Sequence, residues 1–416
     1  MGEGSTISPE IIPFSRPFRT ADELSNLASV LASDHSHGDG PYTRSASDRL
    51  RTLTGAGHVL LTPSCTHALE MASYLLEFGP GDEVILPSFT FPSAADAIAR
   101  TGATCLFVDL DPATGNIDPQ QVADAVGPKT RAISVMHYGG VPVDIAAITA
   151  IALEDGIPIV EDNAHGLGVT AGRHTLGSVG VLAAQSFHDT KNVHCGEGGA
   201  LLINDPALIE RAEIMREKGT NRSQFLRGQI DKYSWVDWGS SYLLSELNAA
   251  VLDSQLGEFD EIQRRRFSIW DRYAGELGEW ADASGVRLMQ PPSGVHAAHL
   301  FYLIMPEWEA QTTFISHLRA RGVMASFHYV PLDSSPAGRR FGRILQPLDR
   351  SEDFSRRLVR LPLWAGMTDD QTTRVIQAVQ SFSDPANRPS PNRPSPNRPS
   401  PNRPSPNRPT KKGPAT

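Results

Sequence analysis

The sequence predicts an α/β protein with a largely parallel central sheet, followed by a smaller α+β region. Short apolar runs of three to six residues recur between positions 59 and 162. Helical patterns of about 10–15 residues separate them, which is typical of βαβ units with a sheet buried on both faces. After Ser240 this alternation stops. Because the loops after parallel strands meet at one edge of a sheet, we expect a ligand there.

The elements follow in chain order. Five runs predict strands of the central sheet, over residues 59–61, 83–87, 103–108, 131–135 and 158–162. Residues 242–265 then predict one long helix that ends in a charged stretch. Beyond it, further helical patterns and two strand-like pieces, 300–305 and 323–327, predict the smaller α+β domain.

The chain is therefore divided into three parts. A large domain covers residues 1–265 with the N-terminal segment, a small α+β domain covers 266–384, and a tail covers 385–416. The tail repeats Pro-Asn-Arg-Pro-Ser and has no large apolar side chain to bury, so we predict that it is disordered. A proline-rich ligand for another protein is the alternative interpretation.

Composition limits the partners and the compartment. The formal net charge is -9, which does not favour nucleic acid or an anionic membrane. No run approaches the roughly 18 apolar residues of a membrane span, and residues 1–15 lack the apolar core of a signal peptide. Cys65, Cys105 and Cys195 are odd in number and have no zinc-site spacing. We expect a reduced, cytoplasmic protein without a metal.

Lys191 is the first candidate for chemistry. It follows small and polar residues and precedes the glycine-rich stretch 196–199, where backbone can approach a ligand closely. A lysine amine that is held neutral can form a Schiff base with an aldehyde. On its own Lys191 is better explained as a solvated surface group.

Asp162 and the segment 64–67 are two further candidates for contacts with a ligand. Asp162 follows a buried strand, where a carboxylate could hold a protonated pyridine nitrogen, although it could also only cap the next helix. The segment 64–67 lies between a strand and a helix, so its hydroxyls and helix-start amides suit a phosphate. Simple helix capping explains this segment equally well.

Together with other motifs, these residues resemble the DegT/StrS family of sugar aminotransferases. The resemblance covers residues 15–382 and is closest to the branch that makes dTDP-4-amino-4,6-dideoxyhexoses with the glucose or galactose configuration. It implies the fold of aspartate aminotransferase, which is fold type I of the pyridoxal-phosphate-dependent transferases. The motifs that carry it are 38–41, 87–91, 161–165, 186–192, 196–199, 217–222, 241–250, 299–302 and 327–332.

The resemblance implies a role for each matching residue. Lys191 matches the lysine that carries pyridoxal 5′-phosphate, and Asp162 matches the partner of the pyridine nitrogen. Phe91 matches the aromatic residue that stacks on the cofactor ring. The phosphate contacts are implied for Ser186 and for the segment that contains Cys65, Thr66 and the backbone of His67.

Three positions depart from the family pattern. His165 stands where many members have a glutamine that faces the 3′-oxygen of the cofactor. Ser241 stands where an asparagine often reaches the phosphate from a neighbouring subunit, and Asp333 stands where a histidine is expected. We keep His165 and Ser241 as cofactor-binding candidates, because both side chains can donate a hydrogen bond.

The implied reaction moves an amino group from L-glutamate to a dTDP-4-keto-6-deoxyhexose and releases 2-oxoglutarate. The C4 configuration of the product stays open. Candidates for substrate contacts are His188, Lys218, Arg222, Arg227, His328 and Tyr329. The resemblance also implies a homodimer or higher homo-oligomer with shared sites. In that assembly, the polar segment 217–233 would reach the partner's substrate, although a plain solvated loop is the simpler interpretation.

Three other functions fit these residues less well. A pyridoxamine-phosphate-dependent sugar 3-dehydratase has a histidine in place of the lysine, whereas Lys191 is present here. A non-catalytic regulator has no need to keep Lys191, Asp162 and Ser186 together. An amino-acid aminotransferase would show an arginine clamp for the substrate carboxylate, and no such motif is identifiable.

Overall fold

The computed structural model describes residues 10–383 of the chain. The predicted disordered tail, 385–416, lies outside them. The strands of the described part are β1 (His58–Thr62), β2 (Glu83–Pro87), β3 (Thr104–Val108), β4 (Thr130–Met136), β5 (Ile159–Asp162), β6 (Thr170–Ala171), β7 (His174–Thr175), β8 (Leu182–Ser186), β9 (Gly199–Ile203), β10 (Arg287–Leu288), β11 (Phe301–Ile304), β12 (Gly342–Ile344) and β13 (Leu358–Leu361).

Helices connect and cover these strands. Two short 3₁₀ helices lie at Tyr138–Gly140 and Pro206–Leu208. The α-helices are α1 (Glu23–Ala32), α2 (Pro41–Thr54), α3 (Cys65–Leu75), α4 (Pro92–Ala99), α5 (Pro119–Ala125), α6 (Ile145–Asp155), α7 (Ile209–Arg216), α8 (Arg222–Leu226), α9 (Glu246–Gly257), α10 (Phe259–Glu276), α11 (Gly278–Ser284), α12 (Trp308–Ala320), α13 (Pro336–Phe341), α14 (Asp349–Arg357) and α15 (Asp369–Gln380). In this part of the chain no helix is long and apolar enough to cross a bilayer.

The central sheet has eight strands in the order β1-β9-β8-β5-β4-β2-β3-β12. Neighbours from β8 to β12 pair in parallel, and β9 alone runs against both of its neighbours. All five predicted strands are confirmed as β1 to β5. The prediction of a mostly parallel α/β sheet is therefore right.

Both faces of this sheet are buried, as the apolar runs predicted. In β2, Val84 and Leu86 pack on the side of α3 and α4, whereas Ile85 packs on the side of α5 and α6. Alternate side chains of a strand point to opposite faces, so a run without polar interruption needs cover on both sides. The helices supply that cover and fix the edge on which the strands end.

The C-terminal region forms an antiparallel sheet in the order β10-β11-β13. It packs in an apolar cluster with α10, α12 and α15. This agrees with the predicted α+β character, but β12 from the same region joins the central sheet beside β3. The predicted boundary after residue 265 lies inside α10 and stays a prediction.

Two predicted elements are wrong. Residues 242–265 form two helices, because the chain leaves helical geometry at Glu258 (φ -104°, ψ 18°), and the first begins only at Glu246, after the capping Ser245. Residues 323–327 form no strand among the described residues. Their partners change from Ile12 at Val323 to Arg360 at Ser326, so no continuous ladder develops.

Candidate active site

A cavity of about 770 Å³ opens at the carboxyl ends of the central strands. Asp162 ends β5, Ser186 ends β8 and Met136 ends β4, and all three side chains line it. Parallel strands bring their carboxyl ends to one edge, which explains why residues distant in sequence meet there. The cavity lies at the edge where the sequence predicts a ligand.

Lys191 lies in the cavity wall, in a turn after β8 where its N–H donates to the carbonyl of His188 at 2.8 Å. The turn returns to β9 through Gly196, whose φ of +84° is costly for other residues. Burial lowers the pKa of Lys191 to about 8, although Asp162 and Cys65 oppose the shift. The neutral form that a nucleophile or base requires is therefore reached at much lower pH than in an ordinary lysine, although the amine is still mostly protonated at pH 7.

Asp162 lies in the same cavity and is almost fully buried. Its Oδ1 accepts a hydrogen bond of 3.0 Å from the N–H of Ala164. Burial raises the pKa of Asp162, while this hydrogen bond and the charge of Lys191 lower it. A buried carboxylate that has one backbone donor can still accept a proton or hydrogen bond from a ligand.

The N-terminus of α3 forms a further part of the wall. Cys65 and Thr66 line the cavity, and the hydroxyl of Thr66 lies 2.8 Å from that of Ser93. Gly199 permits the close packing of this helix start against β9, since a Cβ there would lie 2.4 Å from the backbone nitrogen of Cys65. Helix-start N–H groups and hydroxyls form a favourable site for a phosphate.

His67 does not line the cavity. Its N–H donates to the capping hydroxyl of Ser64 at 3.2 Å, and its ring lies 5.3 Å from that of Tyr242. The predicted phosphate contact through the backbone of His67 therefore has no free donor in this arrangement. Helix capping, the alternative interpretation of this segment, accounts for this residue.

His165 lines the cavity and is buried. Its Nδ1 accepts from the N–H of Gly139 at 3.3 Å, so the neutral ring carries its proton on Nε2. Burial lowers the pKa of His165 well below its ordinary value, and the charge of Lys191 lowers it further. The ring is thus a neutral donor, like the glutamine that many family members have here.

His299 stacks on His165 with ring centres 4.0 Å apart. Its Nδ1 lies 2.8 Å from Oδ1 of Asn192, whose amide nitrogen already donates to Gln263 and Ala297. The His299 ring must therefore donate through Nδ1, which leaves Nε2 as an acceptor. Sequence reasoning assigned this residue no role, although it lies in a motif of the resemblance.

The other predicted side chains of the wall are aromatic. Phe91 precedes α4 and is 53% exposed, and its ring lies 6.1 Å from that of Tyr329. His328 lines the cavity with its Nδ1 3.0 Å from the hydroxyl of Tyr138. His188 lines it as well and has Nδ1 3.0 Å from the hydroxyl of Thr190.

Besides His67, four predicted residues lie outside the cavity. Lys218 and Arg222 pair with Glu217, at 3.3 and 2.8 Å, and Arg227 pairs with Glu213 at 2.8 Å. Ser241 is exposed and bridges to Glu217 through its backbone. None of the four joins the cavity residues of its own chain. Asp333, the third departure from the family pattern, instead accepts a 2.5 Å hydrogen bond from Ser88.

Sequence reasoning also missed residues that the fold brings into the wall from a distance. They are Phe14, Ser15, Glu197, Ser326, Phe327 and Arg360. Glu197 and Phe327 lie in the motifs 196–199 and 327–332 of the resemblance, which could have drawn attention to them, whereas Arg360 stands in none of those motifs. Their position depends on how the C-terminal sheet and the N-terminal segment pack against the strand ends.

The arrangement fits pyridoxal phosphate. The cavity joins an amine of lowered pKa, a buried carboxylate for a ring nitrogen, an exposed aromatic face and a helix N-terminus with hydroxyls. These groups match the aldehyde, the pyridine nitrogen, the ring and the phosphate of that cofactor. The class of protein they define is a pyridoxal-phosphate-dependent aminotransferase.

The chain belongs to the DegT/DnrJ/EryC1/StrS aminotransferase family, whose model matches residues 17–380. SpsC of Bacillus subtilis (strain 168), a spore coat polysaccharide biosynthesis protein, is 32% identical over 382 residues, which are 89% of this chain and 97% of SpsC. The aminotransferase TlmJ from Streptoalloteichus hindustanus is 31% identical, with a TM-score of 0.82 over 89% of this chain and 98% of TlmJ.

Spr1654 from Streptococcus pneumoniae, in its PMP form, is 25% identical, with a TM-score of 0.81 over 89% of this chain and 97% of Spr1654. The family and these structures make the chain a pyridoxal-phosphate-dependent transaminase of the sugar aminotransferase family. Its fold is type I of the pyridoxal-phosphate-dependent transferases, as the resemblance implied.

Proposed function

We propose that the enzyme transfers the amino group of L-glutamate to C4 of dTDP-4-keto-6-deoxy-D-glucose. The products are 2-oxoglutarate and a dTDP-4-amino-4,6-dideoxyhexose with the glucose or galactose configuration. The motifs of the dTDP-4-amino-4,6-dideoxyhexose branch support this substrate. The name of the relative SpsC, which refers to polysaccharide biosynthesis, agrees with an amino sugar product.

The observation that carries the proposal is that Lys191 and Asp162 line one cavity. Bound pyridoxal phosphate supplies an electron sink that stabilises a carbanion next to the transferred nitrogen. Asp162 holds the proton on the pyridine nitrogen, because its carboxylate is buried and favours a cationic neighbour. Lys191 would hold the cofactor through Nζ when no substrate is bound.

Lys191 also moves protons during turnover. With a donor bound, the free Nζ would take the proton from Cα of L-glutamate and would later deliver one to C4 of the sugar. Burial lowers the pKa of Lys191 to about 8, so the amine can act in both directions near neutral pH. The face from which Nζ protonates C4 determines whether the product amine is equatorial or axial.

The remaining wall residues orient the cofactor and the substrates. The start of α3 with Cys65 and Thr66, together with Ser186, holds the phosphate, and Phe91 covers the ring. His165 donates through Nε2 to the 3′-oxygen, since Gly139 occupies its Nδ1. Sugar contacts come from His188, His328 and Tyr329, which line the open part of the cavity.

We further propose a homodimer or higher homo-oligomer in which the segment 217–241 completes the site of the partner. This segment exposes large apolar side chains, including Trp235 at 78% and Leu226 at 63%, and exposed apolar patches favour an interface. In that assembly Ser241 would reach the partner's phosphate, and Lys218, Arg222 and Arg227 would meet the diphosphate of its substrate.

The test is identification of the product. The loaded enzyme is incubated with dTDP-4-keto-6-deoxy-D-glucose and L-glutamate, and the sugar product is analysed by NMR. We expect an amine on C4 and one 2-oxoglutarate for each amino sugar, with the ring proton couplings giving the C4 configuration. A 4-keto sugar that stays unaminated, while a 3-keto isomer accepts the amine, would overturn the proposed substrate.

A further inference from the structure

The segment 297–299 enters the cavity wall in a backbone conformation that few residues adopt. Ala298 has a φ of +45°, in the left-handed region that favours glycine. Its N–H donates to Nδ1 of His296 at 3.0 Å. His299, which follows directly, lines the cavity. A costly backbone conformation of this kind persists only where the surrounding contacts hold it.

Two side chains of α10 supply these contacts. Gln263 and Arg266 are three residues apart, so they lie on the same face of the helix. Nε2 of Gln263 donates to the carbonyl of Ala297 at 3.1 Å. Arg266 donates to the next two carbonyls, from Nε to Ala298 at 3.0 Å and from Nη2 to His299 at 2.5 Å. One face of α10 therefore holds three successive carbonyls of the segment.

Arg266 makes its two contacts as a buried cation. It is 3% exposed, and burial lowers its pKa to about 9, with no carboxylate of the described residues opposing that shift. The neighbouring Arg264 and Arg265 lie on the surface instead, and both pair with Glu261. Because a buried charge is costly, an apolar side chain would fill the position of Arg266 more favourably if packing were its only role.

The segment determines where the ring of His299 lies. Its Nδ1 donates at 2.8 Å to Oδ1 of Asn192, the residue after Lys191. The ring also stacks on His165, with ring centres 4.0 Å apart. His165 has a second fixed contact, because its Nδ1 accepts from the N–H of Gly139 at 3.3 Å. These two contacts hold the imidazole of His165 in one orientation and leave its Nε2–H for a ligand.

We propose that Arg266 is a positioning residue of the cofactor site. By holding the carbonyls of Ala298 and His299, it keeps the His299 ring against His165 and so directs the Nε2–H of His165 at the cofactor. The inference rests on the proposed contact between His165 and the 3′-oxygen of pyridoxal phosphate, and it does not depend on the sugar substrate. A guanidinium suits this role because its rigid fork of N–H groups can hold two carbonyls at once.

Cofactor binding tests this in a double-mutant cycle that needs no sugar. Apoenzyme is titrated with pyridoxal phosphate, and both the Kd and the absorbance maximum of the bound cofactor are measured. In Arg266→Met we expect the Kd to rise about 10-fold, as for loss of an outer partner that orients a metal ligand. The absorbance maximum should move as it does in His165→Ala, because both changes withdraw the donor from the 3′-oxygen. In a chain that already carries His299→Ala, Arg266→Met should change the Kd by less than about twofold, since no ring is left to position.

The matched control is Arg272→Met in the same helix. Arg272 also donates to a backbone carbonyl, that of Asp369 at 3.2 Å, but it does not line the cavity or contact the segment 297–299. Its loss should leave the Kd and the absorbance maximum unchanged. Arg266→Lys replaces Arg266→Met if that variant does not fold. Its ammonium can reach one carbonyl but cannot hold both, so we expect a rise in Kd of about threefold that His299→Ala abolishes.

Three outcomes would overturn the inference. A Kd and an absorbance maximum that stay unchanged without Arg266 would mean that the arginine serves folding alone. Equal losses of affinity with and without the His299 ring would mean that Arg266 acts on the wall by another route. A spectral change that His165→Ala does not reproduce would separate the arginine from His165. Failure of the proposed function is distinguishable, since a wild-type enzyme that aminates no dTDP-4-keto sugar leaves these cofactor measurements intact.

Discussion

The cavity wall and the segment 217–241 use charged residues in opposite ways. In the wall, Lys191 and Arg360 face open space, and burial lowers the pKa of each. In the segment, Arg222 and Arg227 pair with carboxylates of their own chain, while large apolar side chains such as Trp235 stay exposed. One chain therefore supplies the groups of the wall, whereas the segment leaves apolar side chains exposed, as the proposed interface requires.

The largest expected effect is on the wall side of this comparison. Lys191→Ala should lower turnover by at least about 10,000-fold, because it removes both the covalent anchor and the proton carrier. The variant should still bind pyridoxal phosphate through Asp162 and the start of α3. Borohydride reduction followed by peptide mapping should fix the cofactor to Lys191 in the wild type, and label on another lysine would contradict the assignment.

Asp162→Asn should come next, with a loss of about 100- to 1,000-fold in turnover, as for removal of one electrostatic contact to a reacting centre. A neutral amide cannot keep the pyridine nitrogen protonated, so the electron sink weakens. The amide can still accept from the N–H of Ala164, so folding should be kept. Near-normal turnover with cofactor bound would remove Asp162 from the mechanism.

These two residues could be predicted from sequence because each lies beside a local pattern. Asp162 ends an apolar strand and Lys191 precedes a glycine-rich turn, so the fold class alone brings them to one edge. Arg360 could not be found in this way. It reaches the cavity only because β13 pairs with β11 and its backbone meets Ser326, and such contacts leave no trace in the sequence near Arg360.

The same reasoning explains which elements of the fold were predicted. Strands buried on both faces are continuous apolar runs, so β1 to β5 were found with nearly correct bounds. The break at Glu258 was missed, because a single change of backbone angle leaves the helical pattern on either side intact. The strand β12 was missed because it is only three residues long and one of its three pairs with β3 involves Gly342, which approaches Phe107 too closely for a Cβ.

Subunit complementation tests the segment side of the comparison. Lys191→Ala chains are mixed with chains that carry Arg222→Ala and Arg227→Ala, each inactive alone, and subunits are allowed to exchange. If sites are shared, one site of each mixed dimer has intact parts, and activity should return to about a quarter of the wild-type value. Exchange is verified by mass spectrometry of differently tagged chains. Absent activity despite exchange would show that each site is built within one chain.

A smaller effect is expected in the pH dependence of the rate at which the apoenzyme binds pyridoxal phosphate. This rate tests how strongly the cavity wall buries the amine of Lys191. Capture by the apoenzyme needs neutral Lys191, whose pKa is lowered from 10.5 to about 8. Because the lowered pKa gives the neutral amine at lower pH, the capture rate should rise with pH, reach half of its maximum at about pH 8 and then level off. Since Asp162 raises the pKa of Lys191, Asp162→Asn should move this midpoint to lower pH. A rate that still rises toward pH 10.5 would contradict the burial of the amine.

Removal of residues 385–416 should have the smallest effect. The tail has no large apolar side chain with which to join a core, so turnover and oligomeric state should match the full chain in kinetics and light scattering.

The tail carries seven basic and no acidic residues, so its loss makes an already acidic chain more negative. An anionic sugar nucleotide would then associate more slowly at low ionic strength, and salt would abolish that difference. Dissociation of the truncated enzyme into monomers would show that the tail, and not the segment 217–241, holds the subunits together.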